Sequence, residues 1–270
     1  MYWLSFLLAL ALLLALWRTL LWRPRPLPGV TRKPVWLIGH RGVRGRLPEN
    51  TLRAFEAALE AGLDGLEFDV QQSRDGILVI HHDDALPDGQ KIADLRFAEL
   101  RERLPLLPEL DDLFELATRY PGTLLNLEIK TKGVRTHGLE ERVVRSVRRS
   151  GLAGRVLLSS FNPLSLARVR LKAPELRTAL LYAPDLPRWL KHGQAAPWLH
   201  VDALHPHHAQ VTATLMHRAR QRNLPVNAWT VNEPTEVWRL LALDVNGLIA
   251  DDPETLQNAV ASAPSRSLNA

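Results

Sequence analysis

The sequence predicts an α/β protein: one (β/α)8 TIM barrel with a β-hairpin excursion after the second strand, preceded by one N-terminal transmembrane helix. Three observations carry this. Strand-like and helix-like segments alternate along residues 35–260, Glu67 to His82 leaves no room for a helix, and an apolar run opens the chain. With 270 residues, 46% apolar and 23% charged, the chain can bury a substantial core and is not a disordered tail. The absence of cysteine excludes a disulfide scaffold, a thiol nucleophile and a cysteine-ligated metal.

From Tyr2 to Trp22 only Ser5, Arg18 and Thr19 interrupt the apolar run. As a helix it is roughly 32 Å long, enough to cross a bilayer. Trp3 at one end and Trp17 with Trp22 at the other stand where interfacial indoles sit. No base precedes the run and Arg23, Arg25, Arg32 and Lys33 follow it, so residues 1–22 read as an uncleaved membrane anchor rather than a signal peptide. The positive-inside rule then keeps the soluble body in the cytoplasm. Residues 23–34 read as a basic, proline-rich extended linker, 35–260 as the barrel and 261–270 as a tail. Lys plus Arg outnumber Asp plus Glu by 34 to 29, but five of the bases lie within the first 33 residues, where there is no acid. The balanced remainder offers no basic groove, so no nucleic-acid partner is expected.

Strand-like runs cover Val35 to Gly39, Gly65 to Val70, Ile77 to His81, Thr123 to Ile129, Arg155 to Ser160, Thr178 to Tyr182, Val201 to Leu204, Pro225 to Thr230 and Gly247 to Ala250. Helical patterns cover Thr51 to Ala61, Leu110 to Arg119, Leu139 to Arg149, Leu164 to Leu171, Thr212 to Arg222 and Glu236 to Leu243. Nine strands are one too many for the barrel. Arg74-Asp75-Gly76-Ile77 is a hairpin-turn sequence, so Ile77 to His81 is expected to fold back along the second strand. With Asp75 and Gly76 as the two central turn residues, Asp69 lies opposite His82.

In Gly65-Leu66-Glu67-Phe68-Asp69-Val70 the acids alternate with apolar residues, so a strand points both carboxylates to one face. Asn126, Glu128 and Lys130 share a face in the same way. A solvated polar face fits poorly, because barrel strands meet water only at the mouth. Glu67, Asp69 and Glu128 converging without opposing charge repel one another unless a cation sits between them, and an all-oxygen set favours Mg²⁺ or Ca²⁺. His40 and His82 occur at strand ends beside this cluster, where imidazoles can shuttle protons while a metal and Arg41 hold an anionic phosphate. His205-Pro206-His207-His208 at another strand end reads as part of the mouth rather than a second metal site.

The ordered set His40-Arg41-Gly42, Pro48-Glu49-Asn50-Thr51, Glu67-Phe68-Asp69-Val70, Asp75-Gly76, His82-Asp83 with Leu86, Glu128-Ile129-Lys130, Ser160-Phe161 and Trp229-Thr230-Val231-Asn232 resembles the glycerophosphodiester phosphodiesterase family over roughly residues 36–253. The resemblance implies a metal-dependent hydrolase that splits glycerophosphodiesters into glycerol 3-phosphate and an alcohol. By position it implies Glu67, Asp69 and Glu128 as metal ligands, His40 and His82 as the acid-base pair, and Arg41 and Lys130 as phosphate contacts. Trp229 tilts towards the pocket; Glu49, Phe161 and His205 are further pocket candidates, with Glu49 and Asn50 also placed to begin or cap a helix. Departures occur after His82-Asp83, where Pro87-Asp88-Gly89-Gln90 replaces an Arg-Thr-Thr segment, and around Asp251, which reads as structural. An anchored enzyme of this kind has a second candidate substrate, lysophospholipid in the membrane. A catalytically dead tethered binding module is a third reading, disfavoured because both histidines and all three acids are present.

Overall fold

The computed structural model describes residues 2–27 and 35–264. In chain order these form α1 (Tyr2–Leu21), β1 (Trp36–His40), α2 (Leu52–Glu60), β2 (Gly65–Gln72), β3 (Leu78–Ile80), α3 (Phe97–Arg103), α4 (Leu110–Thr118), β4 (Leu124–Ile129), α5 (Leu139–Ser150) and β5 (Val156–Ser160). There follow α6 (Pro163–Lys172), β6 (Arg177–Tyr182), α7 (Ala196–Leu199), β7 (Ala203–Pro206), α8 (Ala213–Gln221), β8 (Asn227–Ala228), α9 (Pro234–Ala242), β9 (Gly247–Ala250) and α10 (Pro253–Ala261). Eight strands run parallel in the order β7-β6-β5-β4-β2-β1-β9-β8, while β3 pairs antiparallel with β2. Single bridges from Leu204 to Val226 and from His207 to Trp229 draw the flanks of β8 against β7, so the barrel is nearly closed.

The period-2 alternation decides which face packs. Leu66, Phe68 and Val70 of β2, with Leu125, Leu127 and Ile129 of β4, point outward into a buried layer with Phe55 of α2, Leu113 of α4 and Val143 of α5. Each such side chain contributes about 1.5–3 kcal/mol on burial. α2 starts where the Thr51 hydroxyl accepts from the backbone N–H of Ala54, and α10 where Asp252 caps Thr255 with Pro253 in the first turn. α10, α3 and α7 are helices that the apolar periodicity leaves unmarked. The seventh strand begins two residues later than its pattern suggests, and the eighth forms a ladder over two residues only.

The hairpin is offset by one residue from the expected register. Val70 faces Ile80 and Gln72 faces Leu78. Asp69 therefore pairs with His81, whose N–H donates to its carbonyl, and not with His82. The turn has three central residues, Arg74 to Gly76, closed by the Ser73 N–H donating to Ile77. Gly76 alone among them has a positive φ, +83°, whereas a two-residue turn of the mirror-image type needs one at Asp75 as well.

The linker is not a free spacer over its described part. Trp22 and Leu27 are buried, Leu27 among Trp36, Ile38, Leu124, Leu157, Ala179, Ala203 and Ile249 inside the barrel's lower end. Residues 28–34 and 265–270, the rest of the expected linker and tail, lie outside the described residues, as do several side chains of α1. Trp3, Phe6, Leu12, Leu13, Trp17 and Leu20 of α1 are exposed. Among the described residues no helix is long and apolar enough to cross a membrane, so the fold by itself does not establish the expected span over residues 1–22.

Candidate active site

Parallel pairing lines up the acids. Glu67 faces Asn126 and Asp69 faces Glu128 across β2 and β4, while His40 at the end of β1 faces Glu67. One carboxylate oxygen from each of Glu67, Asp69 and Glu128 lies within 4.8 Å of the others, and all three side chains are buried. Burial, reinforced by Asp69 and Glu128, pushes the Glu67 carboxyl well above its ordinary range; burial raises Glu128 to about 7. Burial acts the same way on Asp69, but Lys130 and Arg41 outweigh it and hold that carboxyl low.

The expectation of a cluster without opposing charge needs correction. Lys130 Nζ lies 3.1 Å from Glu128 Oε1 and 3.4 Å from Asp69 Oδ1, and Arg41 Nε lies 3.3 Å from Asp69 Oδ2. Even so, Glu67 and Glu128 keep their raised carboxyls, and the buried Asn126 amide opposite Glu67 has no hydrogen-bond partner at either end. An oxygen-only donor set with residual negative charge fits a hard divalent cation.

Arg41 is placed by its backbone. Its φ is +51°, its N–H donates to Glu67 Oε2 at 3.2 Å, and Glu49 holds its guanidinium at 2.8 Å. Gly42 follows at φ +87°, where an added Cβ would come within 2.6 Å of the Ala54 carbonyl carbon, so only glycine lets this loop press against α2. Glu49 also pairs with Arg44 and so acts as a support for the cations. Asn50 is not the helix cap, which is Thr51. At φ +57° it donates from its amide to Asp69 Oδ2 at 2.9 Å.

Both histidines are backed by carboxylates. His40 Nδ1 is 2.6 Å from Asp251 Oδ1, and its Nε2 is 3.9 Å from Glu67. Asp251 accepts from the Asn232 amide at 2.7 Å and donates its N–H to the Asn232 oxygen at 3.0 Å. Asp251, expected to be structural, thus also contacts His40. The signal in the sequence is weak: an acid directly after the last strand. His82 Nδ1 is 2.7 Å from Asp83, and burial together with Lys130 lowers its imidazole pKa. Gln71, which sequence reasoning missed, donates from one amide to the carbonyls of His81, His82 and Asp83 at 2.8–3.3 Å. It pins the His82 segment after the hairpin.

Beside the cluster, a cleft of about 350 Å³ is lined by Glu128, Lys130, Phe161 and Trp229, with Asp84 and Lys132 at its edge. Trp229 stands edge-on to Phe161, centroids 5.5 Å apart, and its Nε1 donates to the His205 carbonyl at 2.8 Å. His205 itself does not reach the pocket. It is fully buried inside the barrel, 3.0 Å from the Asn227 amide, and burial lowers its imidazole to about 3. His207 and His208 stand at the mouth, His208 against Glu236.

Fold and site together define a (β/α)8 barrel enzyme scaffold with a buried cluster of three acids that could hold a cation, two carboxylate-backed histidines, and Arg41 and Lys130 beside them. The glycerophosphoryl diester phosphodiesterase family model matches residues 40–255, and the chain belongs to that family. A glycerophosphodiester phosphodiesterase of Caldanaerobacter subterraneus is 35% identical over 247 residues, covering 83% of this chain and 97% of the relative. One from Bacillus altitudinis is 30% identical, covering 81% and 95%. An Oleispira antarctica phosphodiesterase, solved in complex with the product sn-glycerol-3-phosphate, superposes with a TM-score of 0.71 at 28% identity, covering 84% of this chain and 97% of its own.

Proposed function

We propose that this protein hydrolyses glycerophosphodiesters to glycerol 3-phosphate and an alcohol. The observation that carries the reading is the convergence of His40–Asp251, His82–Asp83 and the Glu67–Asp69–Glu128 cluster at one end of the barrel, in a chain of this family. Glu67, Asp69 and Glu128 would hold one divalent cation, Mg²⁺ or Ca²⁺, which supplies positive charge against the phosphate. Arg41 and Lys130 add fixed charge on the same side. With Nδ1 of each ring held by an aspartate, Nε2 is the nitrogen turned to proton transfer. One histidine takes the proton of the attacking hydroxyl, the substrate's own 2-hydroxyl in the resemblance, and the other protonates the departing alcohol oxygen. The resulting cyclic phosphate is opened by water with the two roles exchanged. Trp229 and Phe161 wall the cleft for the organic part of the diester.

α1 serves in this reading as an N-terminal membrane anchor, with the barrel in the cytoplasm. Support comes from its exposed apolar side chains and the bases that follow it. A reporter fused after Ala270 is expected to behave as cytoplasmic, and a periplasmic signal would refute the topology. For the activity, purified protein is assayed for glycerol 3-phosphate release from a diester panel. Chelation is expected to abolish release and Mg²⁺ or Ca²⁺ to restore it. Full activity after metal removal would overturn the role given to the three acids.

A further inference from the structure

The segment joining α1 to the barrel is clamped to the face opposite the catalytic cleft. Arg25 donates its backbone N–H to Asp202 at 3.0 Å and contacts the same carboxylate through its guanidinium at 3.0 and 2.7 Å. Asp202 is 1% exposed. The Arg25 guanidinium also reaches the carbonyls of Pro174 and Leu176, and Arg177 reaches back to the Pro26 carbonyl. Trp22, one residue beyond α1, stacks on His200 with ring centroids 6.1 Å apart, and Leu27 fills the barrel's lower interior. Pro174, Leu176, His200 and Asp202 all lie just before β6 and β7 begin, at the strands' N-terminal ends, and Arg177 opens β6. His40, Asp69 and Glu128 lie at or near the C-terminal ends of their strands, across the barrel.

No slack remains between α1 and this clamp. A barrel tied to a bilayer by its closed end cannot turn its mouth to the same bilayer, and a lipid would have to leave the membrane to reach the cleft. Each methylene withdrawn from the lipid then counts against it.

We propose that the Trp22–Leu27 strap seats the barrel on the membrane by its closed end and turns the cleft to the aqueous phase. The substrate class is then water-soluble glycerophosphodiesters rather than lysophospholipids resident in that bilayer. The inference rests on the membrane reading of α1 and on the phosphodiesterase reading of the cleft.

The chain contains no cysteine, so single labels can be placed cleanly. Full-length protein carrying Leu171→Cys, exposed at the closed end, or Val134→Cys, exposed at the mouth, is labelled with a fluorophore and reconstituted into vesicles containing a short-range headgroup quencher. Co-sedimentation with the vesicles is expected, with quenching at 171 several-fold stronger than at 134. On the same vesicles, bilayer-resident lysophospholipid is expected to turn over at least tenfold more slowly than soluble glycerophosphocholine. Protein left in the supernatant ends the anchor reading and the proposal with it. Equal quenching at both positions overturns the orientation while the anchor stands. Comparable turnover of the two substrates overturns the exclusion of membrane lipid. Turnover of neither counts against the phosphodiesterase reading, and the labels still decide the orientation.

Discussion

Asp251→Asn isolates the contact between Asp251 and His40 with little change in shape. The carboxylate accepts from His40 Nδ1 at 2.6 Å and is itself steadied by Asn232 at 2.7 Å. His40 and burial pull the Asp251 carboxyl in opposite directions, and the net effect is below its ordinary range, so the group is an anion at neutral pH. A hydrogen bond to a charged group contributes about 1.5–3 kcal/mol. At about 1.4 kcal/mol per decade, losing it from the transition state slows turnover roughly 10- to 10²-fold. An amide also offers its NH₂ to Nδ1, which favours the tautomer with Nε2 protonated and occupies the nitrogen that the proposed mechanism turns to the substrate. The fall should appear in kcat with KM for a soluble diester nearly unchanged, because Asp251 meets His40 and not the phosphate. On a His40→Ala background, Asp251→Asn should add almost nothing, since its effect runs through the missing ring. Turnover within twofold of the parent enzyme, or a further tenfold loss on the His40→Ala background, would refute this account of Asp251.

His40→Ala and His82→Ala are each expected to cost roughly 10²–10⁴ in turnover, and the double variant less than the product of the two. A diester with a good leaving group should rescue only the variant that lacks the acid. Arg25→Ala leaves the buried Asp202 with Arg170 as its remaining guanidinium partner. Because Arg25 is itself about one-third exposed, we expect a loss of only about 1–3 kcal/mol, seen as a Tm several degrees lower. A deletion of residues 1–30, which also removes Leu27 from the barrel interior, should lower Tm further, and an unchanged Tm in either would show the strap to be passive. His205 is buried with its imidazole lowered to about 3, below the roughly 6.5 of an exposed ring. Its contribution is fully present above pH 6.5. As pH falls from there towards 3 the unfolded chain takes the proton first, and stability is lost by up to about 1.4 kcal/mol per pH unit. Denaturant midpoints at pH 7.5 and 5.0 should therefore diverge more for the parent than for His205→Asn; equal pH dependence would contradict it.

Much of the site was legible in the sequence because its signals are local. A period of two along Glu67-Phe68-Asp69 and Asn126-Leu127-Glu128 settles which side chains share a face, whatever the strands pair with. The helix periodicity and the surplus strand after Asp69 likewise point to a barrel with one antiparallel excursion, which the topology shows. The hairpin register was not legible: two or three central residues in the turn both suit Asp75-Gly76, and the difference moves His82 out of line with Asp69.

What the sequence determined by itself, then, is the alternation of strands and helices, the inward face of each acidic strand and the apolar character of residues 2–22. Tertiary structure alone decided the partners. His40 meets Asp251 because β1 lies beside β9 once the sheet curls round, a contact across 211 positions. Asn50 grips Asp69, Lys130 and Arg41 offset acids that looked uncompensated, and Arg25 finds Asp202 across 177 positions. His205 is fully buried and does not line the cleft. Periodicity is a property of neighbouring residues, fixed by backbone geometry, whereas these contacts exist only after the closing barrel brings distant strand ends together and burial makes each unpaired charge costly enough to choose a partner.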